Sequence, residues 1–101
     1  MAQFAIMRAK LLLRERIDYP DGALIEMKIW QVPTPVPPTT HGLKYSLVYI
    51  VGGQRAVGYD NERGKGDHRH IGATETDCRF TSAARMIEDF RADVLAVRGS
   101  I

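Results

Sequence analysis

LKYSLVYIVGGQRAVGY, residues 43–59, reads as a strand, a tight turn and a returning strand, and it sets the fold class of this 101-residue chain. Leu43, Tyr45, Leu47, Tyr49 and Val51 alternate with Lys44, Ser46, Val48 and Ile50, the period of two that puts successive side chains on opposite faces. The second row turns apolar toward its end, so this strand is expected to be buried on both sides there. Gly52-Gly53 is a two-residue hairpin signal, and Gln54 to Tyr59 is the return.

Toward the N-terminus the same pattern recurs. From Ala9, one row is Ala9, Leu11, Leu13, Ile17 and Tyr19, and the other is Lys10, Arg14, Arg16 and Asp18, a half-buried strand interrupted at Leu12 and Glu15. Pro20-Asp21-Gly22 supplies a preset φ and a residue that accepts positive φ, which is turn chemistry. Ala23 to Val32 returns, with Ala23, Ile25, Met27 and Ile29 on one face and Glu26 and Lys28 on the other. Trp30 falls on the Glu26/Lys28 face as a rim or contact residue. Val32 to Gly42 holds four of the five prolines. Proline lacks a backbone donor, so the segment is a stiff connector rather than a central strand, with a proline-rich ligand as the other reading. His41 is expected to be a simple loop histidine.

Toward the C-terminus, His68 to Ile71 and Asp77 to Phe80 read as short strands with Gly72 to Thr76 as the turn between them. Ala83, Met86, Ile87, Phe90, Val94 and Val97 then recur at helical spacing against Arg85, Glu88, Asp89, Arg91 and Asp93. Thr81 or Ser82 suits the N-cap, and Arg98 with Gly99 suits the stop. Strands followed by one helix predict an α+β domain: an antiparallel sheet of four to six strands with a C-terminal amphipathic helix packed on one face. One domain spanning residues 1–101 is expected.

With 45% apolar residues, 26% charged residues and a net charge of +2, the composition is that of an ordinary soluble protein. Any basic patch has to be local. The lone Cys78 cannot form an internal disulfide, which points to a reducing cytoplasmic compartment. The opening MAQFAIMRAKLLLRER has short apolar pieces broken by Arg8 and Lys10 and does not read as a signal peptide. No apolar run approaches the roughly 20 residues of a membrane span.

The densest chemistry lies in Gly58 to Ile71, GYDNERGKGDHRHI, read as a charged loop. It holds Asp60, Glu62 and Asp67, Arg63, Lys65 and Arg69, and His68 and His70. If the histidines lie on a strand they share a face about 6.6 Å apart along it. One imidazole can then stand on each side of a phosphate as base and acid. Lys65, Arg63 or Arg69, with Asn61, would hold the phosphate charge. Tyr59, Asp60, Glu62, Gly64, Gly66 and Asp67 would support the loop. This is a metal-independent ribonuclease arrangement that needs no cofactor. A metal site built from the histidines and nearby acids is a weaker reading, because three cations sit beside it. Gly64-Lys65-Gly66 lacks the length and Lys-Ser/Thr of a phosphate-binding P-loop. A salt-bridged loop with a purely architectural role is the bland alternative. Cys78 is expected to be a small strand residue rather than a reactive thiol. Tyr45, Tyr49 and Tyr59 read as core or rim, and would favour single-stranded RNA binding if exposed beside the loop.

The run Gly58-Tyr59-Asp60-Asn61-Glu62-Arg63-Gly64-Lys65-Gly66-Asp67-His68-Arg69-His70 is preceded by Lys44-Tyr45-Ser46-Leu47 and followed by Phe80 and Asp89-Phe90. Together with Asp21-Gly22, Glu26 and Trp30-Gln31-Val32-Pro33, it resembles the TumE family of bacterial toxin–antitoxin proteins over nearly the whole chain. Cys78 departs from the aromatic or other residue expected there, which bears on packing. The resemblance implies a toxin whose partner is a helix-turn-helix DNA-binding antitoxin, and it brings no catalytic residues with it. A non-enzymatic module whose charged loop docks a partner remains the alternative. The exposed edge of a small sheet would allow a homodimer.

Overall fold

The computed structural model describes residues 9–99; residues 1–8, the first part of the opening segment that does not read as a signal peptide, and residues 100–101 lie outside the described residues. Six strands precede one helix: β1 Lys10–Asp18, β2 Leu24–Gln31, β3 Leu43–Val51, β4 Gln54–Glu62, β5 Gly66–Ile71, β6 Thr74–Asp77, and α1 Ala83–Arg98. The strands form one sheet in the order β1-β2-β3-β4-β5-β6, each antiparallel to the next. Every connection is between neighbours, so the order in the sequence is the order in space.

The helix lies over β3 and β4. It buries Met86, Phe90 and Val94 against Ile25, Met27 and Ile29 of β2, Tyr45, Leu47 and Tyr49 of β3, and Val57 and Tyr59 of β4. The Phe90 ring meets Tyr59 edge-on, with centroids 6.1 Å apart, the geometry favoured by the ring quadrupoles. Ser82 is the cap: its Oγ accepts the Arg85 amide at 3.1 Å. Gly99 ends the helix at φ 88°, donating its amide to Leu95 O at 2.7 Å.

Several expectations change. Leu11 pairs with Trp30 but Leu13 pairs with Ile29, so the two leucines face opposite ways. Leu12 is an extra residue that shifts the phase of the alternation, as a bulge does. β1 is also largely exposed rather than half-buried, because the helix sits over the middle of the sheet and does not reach this edge. Val97, placed on the apolar helix face by its spacing, is 47% exposed; it lies beyond the last buried contact, Val94. β6 is Thr74–Asp77 rather than Asp77–Phe80, since Gly72 at φ 57° lets the chain reverse within Gly72-Ala73.

Candidate functional site

The stretch 58–71 is a hairpin whose strands contain the two expected ones and extend into the expected loop, past Tyr59 on one side and back beyond His68 on the other. β4 runs on to Glu62, β5 starts at Gly66, and only Arg63, Gly64 and Lys65 form the turn. The reason is pairing on both sides: Asp60 faces Ser46 of β3 and His68 of β5, so these polar residues complete two ladders. Directly paired residues share a face. Gly58, Asp60, His68 and His70 therefore face away from the helix with Glu75 and Asp77 of β6, while Tyr59, Asn61, Asp67 and Arg69 face the helix side.

On the open face the two imidazoles stand side by side with centroids 6.4 Å apart. They are 7% and 9% exposed, for His68 and His70 respectively. His68 Nε2 lies 2.8 Å from Lys65 O; a carbonyl only accepts, so Nε2 carries a proton. The Glu75 and Asp77 carboxylates approach Nδ1 of His68 to 3.0 and 3.6 Å without hydrogen-bond geometry, which leaves Nδ1 buried and unbonded. His70 is held the other way round. An Arg55 guanidinium nitrogen lies 2.9 Å from its Nδ1, and because a guanidinium only donates, Nδ1 keeps its lone pair. His70 Nε2 is 3.5 Å from Asp60. Arg55 reaches the ring by crossing Gly58, where a Cβ would stand 2.6 Å from Arg55 Cδ. Lys65 Nζ lies 3.7 Å from Glu75 and 3.9 Å from Glu62 at the rim.

The helix side of the same hairpin is a closed network. Arg69 donates twice to Asp93, at 2.8 Å each, and Tyr59 OH donates to the same carboxylate at 2.5 Å. Burial opposes the Asp93 charge, but the Arg69 and Tyr59 hydrogen bonds outweigh it and hold the carboxyl below its ordinary value. Burial and the neighbouring carboxylate push the Tyr59 hydroxyl upward, and Tyr45 beside Asp67 likewise. Asp93, expected on the polar helix face, turns toward the sheet because Arg69 lies beneath it. Asn61 is 0% exposed. Its Oδ1 accepts the Tyr45 amide at 3.0 Å and its Nδ2 donates to Leu43 O at 2.7 Å. Neither Arg69 nor Asn61 joins the histidines. His41 is more than a loop histidine: it stacks on Phe80 at 3.9 Å and its Nε2 lies 2.8 Å from Asp67 Oδ1. Cys78 is pushed up to about 11 by burial and the Asp67 charge, which keeps it a thiol.

The proline-rich connector braces the turn. Gly64 donates its amide to Pro37 O at 2.8 Å, and a Cβ on Gly66, at φ 80°, would stand 3.3 Å from Pro38. Arg63 and Lys65 remain exposed at the tip. Of the predicted set, then, His68, His70, Lys65, Asp60 and Glu62 gather at one face or rim. Arg55, Glu75 and Asp77, absent from that set, touch the histidines. Only the strand register brings them there. Among the described residues, no group of three or more His, Cys, Asp or Glu side chains is placed to hold a metal ion.

A six-stranded antiparallel meander with one helix across its middle, and a polar histidine-bearing hairpin on its open face, defines a small α+β protein whose chemistry is concentrated at β4 and β5. The family model described as Toxin TumE matches residues 4–98, and the chain belongs to that family. Comparisons with curated proteins and with solved structures find no match. Membership carries a toxin role and, in general, an antitoxin partner. No helix of the described residues is long and apolar enough to cross a membrane.

Proposed function

We propose that this toxin cleaves RNA without a metal ion, with His70 as base and His68 as acid. The observation that carries the reading is the pair of imidazoles on one face, 6.4 Å between centroids, with Arg55 and Lys65 at their rim. Arg55 is the movable part. Its side chain is 40% exposed, and a phosphate draws the guanidinium outward, uncovering the lone pair on His70 Nδ1. His70 then takes the proton of a 2′-hydroxyl, whose oxygen bonds to the adjacent phosphorus. The bond from phosphorus to the 5′-oxygen breaks with its electron pair on that oxygen, which receives the Nδ1 proton of a doubly protonated His68, while the Nε2 proton stays hydrogen-bonded to the Lys65 carbonyl. A 2′,3′-cyclic phosphate and a 5′-hydroxyl result. Arg55, Lys65 and Arg63 stabilise the charge that builds on the phosphate.

The toxin is proposed to act in the bacterial cytosol and to be neutralised by a helix-turn-helix antitoxin, with the outer edge of β1 open to a second copy. A second reading has its own support: both rings are almost covered, while Glu62, Arg63, Lys65, Glu75 and Asp77 lie exposed around them. On that reading the hairpin docks the antitoxin and has no catalytic step. Induced expression in a bacterial host separates the two, with wild type beside His68→Ala/His70→Ala at equal soluble level. The catalytic reading predicts arrest by the wild type alone; a folded double variant that still arrests growth removes it.

A further inference from the structure

The open face extends past the histidines to a cleft of about 390 Å³ whose walls include Lys28, Trp30, Lys44, Ser46, Asp60 and Glu62. We propose that this cleft is the path of a single RNA strand, with a base stacked on Trp30 and phosphates on Lys28 and Lys44, leading the strand toward His68 and His70. The inference rests on the RNA reading above and adds to it the residues that bind and align the substrate.

Register makes the path continuous. Trp30 pairs with Lys44, Lys28 with Ser46, Ser46 with Asp60, and Asp60 with His68. All of these therefore lie on the face the helix leaves open. From Lys28 on β2 to His68 on β5 is three strand spacings, about 14 Å at about 4.8 Å each, and Trp30 lies two residues, about 6.6 Å, along β2 from Lys28, a path that a few nucleotides span. Trp30 is a large apolar ring left 37% exposed on this face, beside its ladder partner Leu11, which is 43% exposed. Base stacking on an aromatic ring contributes about 1–3 kcal/mol and tolerates any base. Lys28 Nζ is 3.3 Å from Glu26, and Lys44 Nζ donates to the Asn61 carbonyl; each ammonium has three donors, so both keep capacity for a phosphate oxygen. Arg14, paired with Lys28 across the β1–β2 ladder, extends the basic row to the sheet edge. Asp60 and Glu62 on β4 stand between the lysines and the histidines, and Arg55 at 3.7 Å from Asp60 and Lys65 at 3.9 Å from Glu62 offset their charge where the RNA strand crosses.

The chain has a single tryptophan, so its emission reports on the cleft directly. The test titrates a short single-stranded RNA carrying 2′-O-methyl groups, which cannot be cut by the proposed reaction, into wild type, Lys28→Gln/Lys44→Gln and His68→Ala/His70→Ala. Saturable quenching of Trp30 is expected for wild type and for the histidine variant. The lysine variant should bind roughly tenfold more weakly, with a salt dependence shallower by about 1.4 in log–log slope for two lost phosphate contacts. Binding with unchanged Trp30 emission and equal affinity of the lysine variant would overturn the path while leaving RNA as the target. Absence of both binding by wild type and cleavage of unmodified RNA would overturn the target, and the path with it.

Discussion

The two faces of the β4–β5 hairpin are built from alternate residues of one short segment, and they treat polar groups in opposite ways. Facing the helix, Arg69 and Tyr59 donate three hydrogen bonds of 2.8, 2.8 and 2.5 Å to the one carboxylate of Asp93. Facing outward, His68 Nδ1 is buried without a hydrogen bond, and His70 is held by Arg55 at Nδ1 and flanked by Asp60 at Nε2. A buried polar atom without a partner is unfavourable by about 1–3 kcal/mol, so a fold that satisfies one face and not the other keeps reactive capacity on the second. The lesson is that density of charge in a sequence does not locate a site. Arg69 is as charged as its neighbours, yet it belongs to the scaffold.

Substitutions can break this contrast. Phe90→Ala, under the covered face, should lower stability by about 3–5 kcal/mol, whereas Trp30→Ala on the open face should change it by less than about 1 kcal/mol; chemical denaturation of the two variants checks the difference. Comparable losses would mean that the open face is also core. Asp93→Asn comes next, at about 1.5–3 kcal/mol for the charge-assisted bonds. The pH dependence has a definite sign. Asp93 is held below its ordinary 3.8, so its contribution is present above that value and disappears as pH falls through the folded-state pKa. Thermal melts should show wild type converging on Asp93→Asn as the solution is acidified from about pH 5 to about pH 2. A gap that persists at the acid end would assign the loss to packing. A similarly small effect on stability, within about 1 kcal/mol, is expected for Gly58→Ala, because the added Cβ meets the 40% exposed Arg55 side chain and not backbone. Its diagnostic readout is nitrogen NMR of the His70 ring, where Nδ1 should shift as the guanidinium leaves; an unmoved resonance would remove Arg55 as the cap.

The meander was legible because alternation, the Gly52-Gly53 turn and the Asp21-Gly22 turn are local signals. The helix was legible for the same reason, from Met86, Phe90 and Val94. The bulge at Leu12 was not, since it depends on which β2 residue each leucine meets. Nor was the division of the charged stretch between faces. Whether Arg69 points to Asp93 or to a phosphate depends on where the helix lies, and a period of two in a uniformly polar segment does not reveal the covered side. Arg55 was hidden by sequence distance from His70, although the small Gly58 between them in space marks its route.

The most direct test of the account is incubation of purified wild type and His70→Ala with single-stranded RNA in chelator, reading the ends of any products. Cleavage by wild type to 2′,3′-cyclic phosphate and 5′-hydroxyl ends, lost in a folded His70→Ala protein, is the predicted result. Equal cleavage by both proteins, or intact RNA beside a wild type that arrests growth, would contradict it.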